Sequence, residues 1–194
     1  MNQKNKISAA LAVIYLSCLF CNGCHNPKEH YRGVEAVIEG GGKFPEFLVG
    51  RWKADEYGWE FVFGPDGSIS SMIHTIGRVE IRPGRTTTIP MIMKGKGVFE
   101  PGECTVYYAP AERELTVTIS LKHFYADLGK NVLEGKSTDI FVGEVTANGK
   151  AWVAEWTAFP EYIATTGTYK HYKLPEDNNN PNITSLLFEK VSSN

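Results

Sequence analysis

Phe44-Pro45-Glu46-Phe47-Leu48-Val49-Gly50-Arg51-Trp52-Lys53, followed by Trp59-Glu60-Phe61-Val62-Phe63, is the stretch on which the fold turns. Both runs are rich in aromatic and aliphatic residues, which suit the pleated, half-buried backbone of a strand. A glycine just ahead of the tryptophan lets the chain bend through backbone angles closed to other residues. Gly50-x-Trp52 at the head of a chain of strands therefore predicts an antiparallel barrel whose first strand bends at Gly50 and whose Trp52 plugs one end.

Toward the C-terminus, turn residues punctuate short strands. Gly64-Pro65-Asp66-Gly67 joins the Trp59–Phe63 strand to Ser68–Ile73, and Arg82-Pro83-Gly84-Arg85 joins 77–81 to 86–93 in a second hairpin. Lys94-Gly95-Lys96-Gly97 has the glycines of a phosphate loop but neither its spacing nor its Ser or Thr, so it reads as a hairpin turn. Cys104–Tyr108 leads across Pro110–Arg113 into Leu115-Thr116-Val117-Thr118-Ile119-Ser120-Leu121-Lys122. That run alternates apolar and polar without a fault, placing Leu115, Val117, Ile119 and Leu121 on one dry face. Asp139–Val145 and Ala151–Thr157 flank Ala147-Asn148-Gly149-Lys150, whose Asn-Gly fits a type I′ turn. Ser185–Val191 reads as the closing strand after a polar loop, 175–182.

Eight to ten strands joined by short turns, with no amphipathic helix, define an all-β chain. Such a sheet must manage its edges, and an up-and-down antiparallel barrel does so by closing on itself. A β-sandwich is the alternative. Gly50-x-Trp52, the antiparallel meander and the final Leu-Phe-Glu-Lys strand resemble the lipocalin and wider calycin barrels. Thr138-Asp139-Ile140 echoes a second lipocalin motif without its Tyr, and no Arg follows the last strand where lipocalins carry one. The resemblance implies a barrel over 44–194 and an apolar guest such as a fatty acid or other lipid.

The N-terminus reads as a targeting segment. Lys4 and Lys6 precede the apolar run Ile7–Phe20, which has the length of a signal-peptide core rather than of a membrane span. Cys21-Asn22-Gly23-Cys24 resembles the lipobox of bacterial lipoproteins, with Gly23 before a Cys24 that would be diacylated and become the new N-terminus. Ser17-Cys18 is a second, weaker match. The chain then divides into a lipoprotein signal peptide, 1–23, a tether, 24–43, and the barrel, 44–194. Within the tether Val34–Ile38 has the pattern of a short packing or edge strand, ahead of the flexible Gly40-Gly41-Gly42. Wholly flexible, about twenty residues span about 25 Å. His25 rather than Asp after Cys24 points to the outer membrane of a two-membrane cell.

Composition excludes some functions. A formal charge of −2 on 194 residues offers no basic face for nucleic acid. Three of the four cysteines fall within Cys18–Cys24, so Cys104 has no partner in the folded part and reads as a buried, inert thiol. His25, His30, His74, His123 and His171 lack metal-ligand spacing, and Glu60, Glu144 and Glu155 read as strand carboxylates on the wet face. No catalytic motif, metal site or cofactor site is predicted, and the chain is read as non-enzymatic.

Two functions fit. The first is a membrane-anchored extracytoplasmic carrier that binds a small apolar ligand against Leu115, Val117, Ile119 and Leu121 and the aromatic Trp152 and Trp156. The alternative is a solid barrel acting as a structural or protein-interaction module of the cell envelope, working through the loops 127–136 and 162–182. Protein partners are not specified by the sequence.

Overall fold

The computed structural model describes residues 34–91, 95–179 and 181–192. The signal segment, the lipobox with Cys24 and the first part of the expected tether lie outside the described residues.

Alternating burial builds the strands. In chain order they are β1 (Val34–Ile38), β2 (Gly50–Ala54), β3 (Glu60–Phe63), β4 (Ile69–His74), β5 (Val79–Ile81), β6 (Thr87–Pro90), β7 (Lys96–Ala109), β8 (Glu114–Asp127), β9 (Asn131–Val145), β10 (Ala151–Thr166), β11 (Tyr169–Lys173) and β12 (Ile183–Lys190). The all-β class read from the sequence is the class observed. One sheet runs in the order β1-β7-β8-β9-β10-β12-β2-β3-β4-β5, with β6 also on β7 and β11 also on β10. Neighbours are antiparallel except β1, which lies parallel to β7 from Val34 opposite Cys104 to Ile38 opposite Tyr108. The sheet thus includes Val34–Ile38, inside the segment read as tether, as the edge strand that its pattern allowed.

The ladder is not closed: β1 and β5 end the order. The sheet nevertheless curls over on itself. Phe61 on β3 and Phe141 on β9 are four strand steps apart in that order, or about 19 Å in a flat sheet at the usual strand spacing. Their ring centres stand 5.2 Å apart at 80°. Trp52, Trp59, Trp152, Phe63, Phe99, Phe124 and Phe188 belong to the same core cluster, all fully buried. Aromatic side chains bury about 150–250 Å² each and supply most of the driving force of such a core.

Gly50, the first residue of β2, takes φ +119°, in the left-handed region that favours glycine. Trp52 is buried, and its indole N–H donates to the Leu48 carbonyl at 2.8 Å, which satisfies its one polar atom. Pro101, which has no N–H for the ladder, sits where the β7–β8 register shifts, a position where a strand tolerates proline.

Three local expectations are corrected. The segments 77–81 and 86–93 do not form one hairpin: among the described residues the pairing here is the isolated bridge of Arg82 with Arg85 in the connecting turn, and β6 pairs with β7 instead. The Met91 N–H donates to the Gly95 carbonyl at 2.9 Å, next to the antiparallel pairing of β6 with β7, and the few residues between the two strands keep the closure entropy small. At 147–150 only Gly149, φ +65°, lies in the left-handed region, so the turn is not type I′. Thr146 and Ala151 close a longer loop in which the Asn148 side-chain oxygen accepts from the Lys150 N–H and the Thr146 hydroxyl. Finally, much of 127–136 and 162–182 is strand, because β9 starts at Asn131, β10 continues to Thr166 and β11 follows. Main-chain pairing from Asn131 to Lys136 against Glu161 to Thr166 holds this extension. Its polar and glycine content hid it: a Cβ at Gly135 would come within 2.6 Å of Tyr162 Cα, so close strand approach excludes the side chain that would have shown the pattern.

Candidate functional site

Period-2 parity puts Ser137, Asp139, Phe141 and Val145 of β9 on the inner face, and all four are buried. Two of them are polar, so the filled interior contains a hydrophilic island. His74, at the end of β4 with the inward parity of Met72, reaches it: His74 Nε2 stands 3.2 Å from Asp139 Oδ2. The Ile76 main-chain N–H donates to His74 Nδ1 at 3.1 Å, which places the ring proton on Nε2 and makes His74 the donor to Asp139. The Ser137 hydroxyl donates to the same carboxyl oxygen at 3.4 Å. The other oxygen, Oδ1, accepts the Trp156 indole N–H at 2.9 Å. One buried carboxyl group thus gathers three donors from β4, β9 and β10. Burying it without them would cost several kcal/mol.

Aromatic rings enclose the island. Trp59 meets His74 edge-on at 4.7 Å, Phe141 at 4.9 Å and Trp156 at 5.7 Å. The Trp59 indole N–H is the buried side-chain donor that finds no partner among the described residues. Such an orphan is uncommon in a packed interior and concentrates attention on this end of the core.

Trp156 is the boundary of that core. Along β10 the inward positions Trp152 and Ala154 are buried, whereas Trp156, Ala158 and Pro160 are half-buried and line a cleft of about 320 Å³. Thr184, directly across from Trp156 on β12, and Asn182 line it too. Lys173, Asp177 and Pro181 close one side and Tyr57, from the β2–β3 turn, another. The cleft is the mouth of the curled sheet, with Trp156 lying between it and the buried island. The Trp156 ring is clamped: it stacks on Phe141 at 6.2 Å and 9°, and its N–H is tied to Asp139.

Tyr57 holds φ +58°, a left-handed conformation that costs a residue with a side chain about 1–2 kcal/mol. Its ring stands edge-on to Trp156 at 5.2 Å and is more than half exposed. Backbone strain that delivers an aromatic ring to the lip of a cleft is the pattern found at binding sites. Lys173 Nζ donates to the Asp177 carbonyl at 2.9 Å, and the Asp177 carboxyl accepts the Leu174 N–H, which folds the loop back over the cleft.

The residues expected to bind a ligand fall into two groups. Leu115, Val117, Ile119, Leu121 and Trp152 are buried in the packed core, while Trp156 alone of the six lines the cleft. Gly50 and Trp52 stand on β2, away from the residues lining the cleft. Cys104 is buried on β7 and its thiol is pushed up to about 11 by burial, against the partial offset of a hydrogen bond from Ser120. Among the described residues no three His, Cys, Asp or Glu side chains gather as metal ligands. By sequence, His74 is only a histidine without metal-ligand spacing and Asp139 only part of Thr138-Asp139-Ile140, and none of His74, Ser137, Asp139 and Tyr57 is predicted as a site residue. The inward parity of Asp139 with Phe141 was a usable signal, but nothing local marks His74 as its partner. Compared with known proteins, the chain matches no family model, no curated protein and no solved structure.

Proposed function

We propose that this chain is a binding module of the cell envelope, held at an extracytoplasmic membrane surface by a lipid on Cys24 and taking a small ligand in the mouth cleft over Trp156. The observation that carries the reading is the contrast between the two ends of β10: Trp152 is sealed in aromatic packing, whereas Trp156 faces about 320 Å³ of open cleft. That volume is at the lower end for small-molecule sites. The reading joins both functions expected from the sequence. It keeps the solid interior of the interaction module, and of the carrier's residues it keeps Trp156. An apolar guest along Leu115, Val117, Ile119 and Leu121 draws less support, because it would have to displace close-packed side chains.

The four tryptophans, Trp52, Trp59, Trp152 and Trp156, make the test direct. Indole ¹⁵N resonances of the full chain are followed while phenol, indole, a short-chain fatty acid and simple sugars are added in turn. Movement of the Trp156 signal with Trp52 and Trp152 unmoved supports a mouth site. Movement of Trp52 and Trp152 by the fatty acid overturns it in favour of an interior carrier.

A further inference from the structure

We propose that the ligand of the mouth cleft is a pyranose ring, a sugar docked by one of its faces on Trp156. This inference rests on the mouth-cleft reading and names its ligand class. The first ground is the floor. Trp156 is fixed by its contact with Phe141 and its bond to Asp139, so the part of its ring that lines the cleft is held in place before binding, at little ordering cost. The negative face of such a ring attracts weakly positive C–H groups, and a pyranose chair turns a patch of axial C–H bonds to one side and its hydroxyls to the rim.

The second ground is the shape. Tyr57 meets Trp156 at 61°, so the two rings form a corner rather than a slot. A planar base wants two parallel walls, whereas a chair needs a single platform and a side wall. Ala158, Pro160 and Pro181 keep the rest of the surface small and free of long side chains. The third ground is the rim. Lys173, Asp177, Asn182 and Thr184 offer an ammonium, a carboxyl, an amide and a hydroxyl, which together include strong donors, strong acceptors and groups that do both. A hydroxyl is donor and acceptor at once, and a ring bearing several vicinal hydroxyls is the ligand that uses such a mixture. One formal positive and one formal negative side chain leave the rim neutral, which favours neither an anion nor a cation. An acyl chain, in turn, needs apolar depth, and the buried rings of Phe141 and Trp59 pack against Trp156.

The full-length chain in a detergent without a sugar headgroup is titrated with methyl glycosides of glucose, galactose, mannose and N-acetylglucosamine, and with a short oligosaccharide of each. The Trp156 indole signal is the readout, and phenol and a short-chain fatty acid serve as non-sugar probes. The expected result is saturable movement by at least one glycoside, weakened about tenfold or more by Asn182→Ala or Thr184→Val, each of which removes a single hydrogen-bonding group. Tighter binding of the oligosaccharide identifies a glycan end as the source, and equal binding a free sugar; both support the pyranose. If no sugar moves Trp156 while phenol or the fatty acid does, the ligand class is overturned and the mouth site stands. If no probe of any kind moves it in a chain whose spectrum is that of a folded protein, both are overturned. Sugar binding unaffected by either rim variant also overturns the site.

Discussion

His74 and Asp139, 65 positions apart in the chain, meet in the aromatic interior with Nε2 3.2 Å from Oδ2. Neither faces a group of opposite charge on a solvated surface, since both are almost fully buried. The pair is one half of a bracket whose other half is the Trp156 indole N–H on the second oxygen of Asp139. A buried polar network of this kind rigidifies what it holds, provided that its members are satisfied. Here it holds the floor of the cleft.

Removing the carboxyl strands three donors. Asp139→Ala is expected to destabilise the fold by about 2–5 kcal/mol, from the unpaired buried groups left behind. Glu155→Ala on the exposed face of the neighbouring strand should fall within about 0.5 kcal/mol of wild type. Urea denaturation followed by tryptophan emission measures both, and an Asp139→Ala midpoint equal to that of Glu155→Ala contradicts the bracket.

Trp52 is the comparable test of the core. It is completely buried and hydrogen-bonded to the Leu48 carbonyl, so Trp52→Ala should cost about 3–5 kcal/mol. Tyr169, 70% exposed, provides the contrast: Tyr169→Ala should be close to neutral. Equal thermal midpoints for the two variants would show that Trp52 does not hold the sheet together.

Tyr57 should separate stability from binding. Tyr57→Asn replaces a strained residue with one that tolerates the left-handed region, gaining about 1 kcal/mol, and loses an edge-on aromatic contact worth about 0.5–1.5 kcal/mol. Its stability should therefore stay within about 1 kcal/mol of wild type, while affinity for any probe that moves the Trp156 signal falls. Unchanged affinity would mean that the strain at Tyr57 has no part in the cleft.

Cys104 should be inert in the folded chain. With its thiol at about 11, only about one molecule in a thousand carries the reactive thiolate at pH 8, so iodoacetamide should label it only after unfolding. The pH dependence follows in sign. The unfolded thiol ionises near its ordinary value of 9.0 and the folded one near 11. This contribution to stability is complete below pH 9 and is lost as pH rises toward 11. Cys104→Ala should flatten that alkaline loss in urea midpoints measured across the interval, and an identical slope in both proteins would contradict it.

Membrane attachment rests on Cys24. Labelled palmitate should enter the wild-type chain and not Cys24→Ala, which should accumulate as uncleaved precursor or in soluble form. Label retained in the variant, or a mature N-terminus elsewhere, removes the anchor from the proposal.

Much of the architecture was legible along the chain because a strand alternates its side chains with a period of two. The faultless run Leu115 to Lys122 announced which side of β8 is dry, and its four aliphatic residues are buried. In β9 the same parity puts Ser137 and Asp139 inside with Phe141, although the sequence was read there only as a strand over Asp139–Val145 with no face assigned. What parity cannot say is which strand lies across the interior. That depends on how far the sheet curls and on registers set between segments distant in sequence, so the meeting of His74 with Asp139, the tie from Asp139 to Trp156 and the approach of Tyr57 belong to the tertiary structure. The same holds for the cleft. Trp152 and Trp156 are equivalent in the sequence, two pleat repeats from each other with identical parity, yet one is sealed and the other opens to the mouth. Only the place where the opposing strands stop supplying large side chains decides between them.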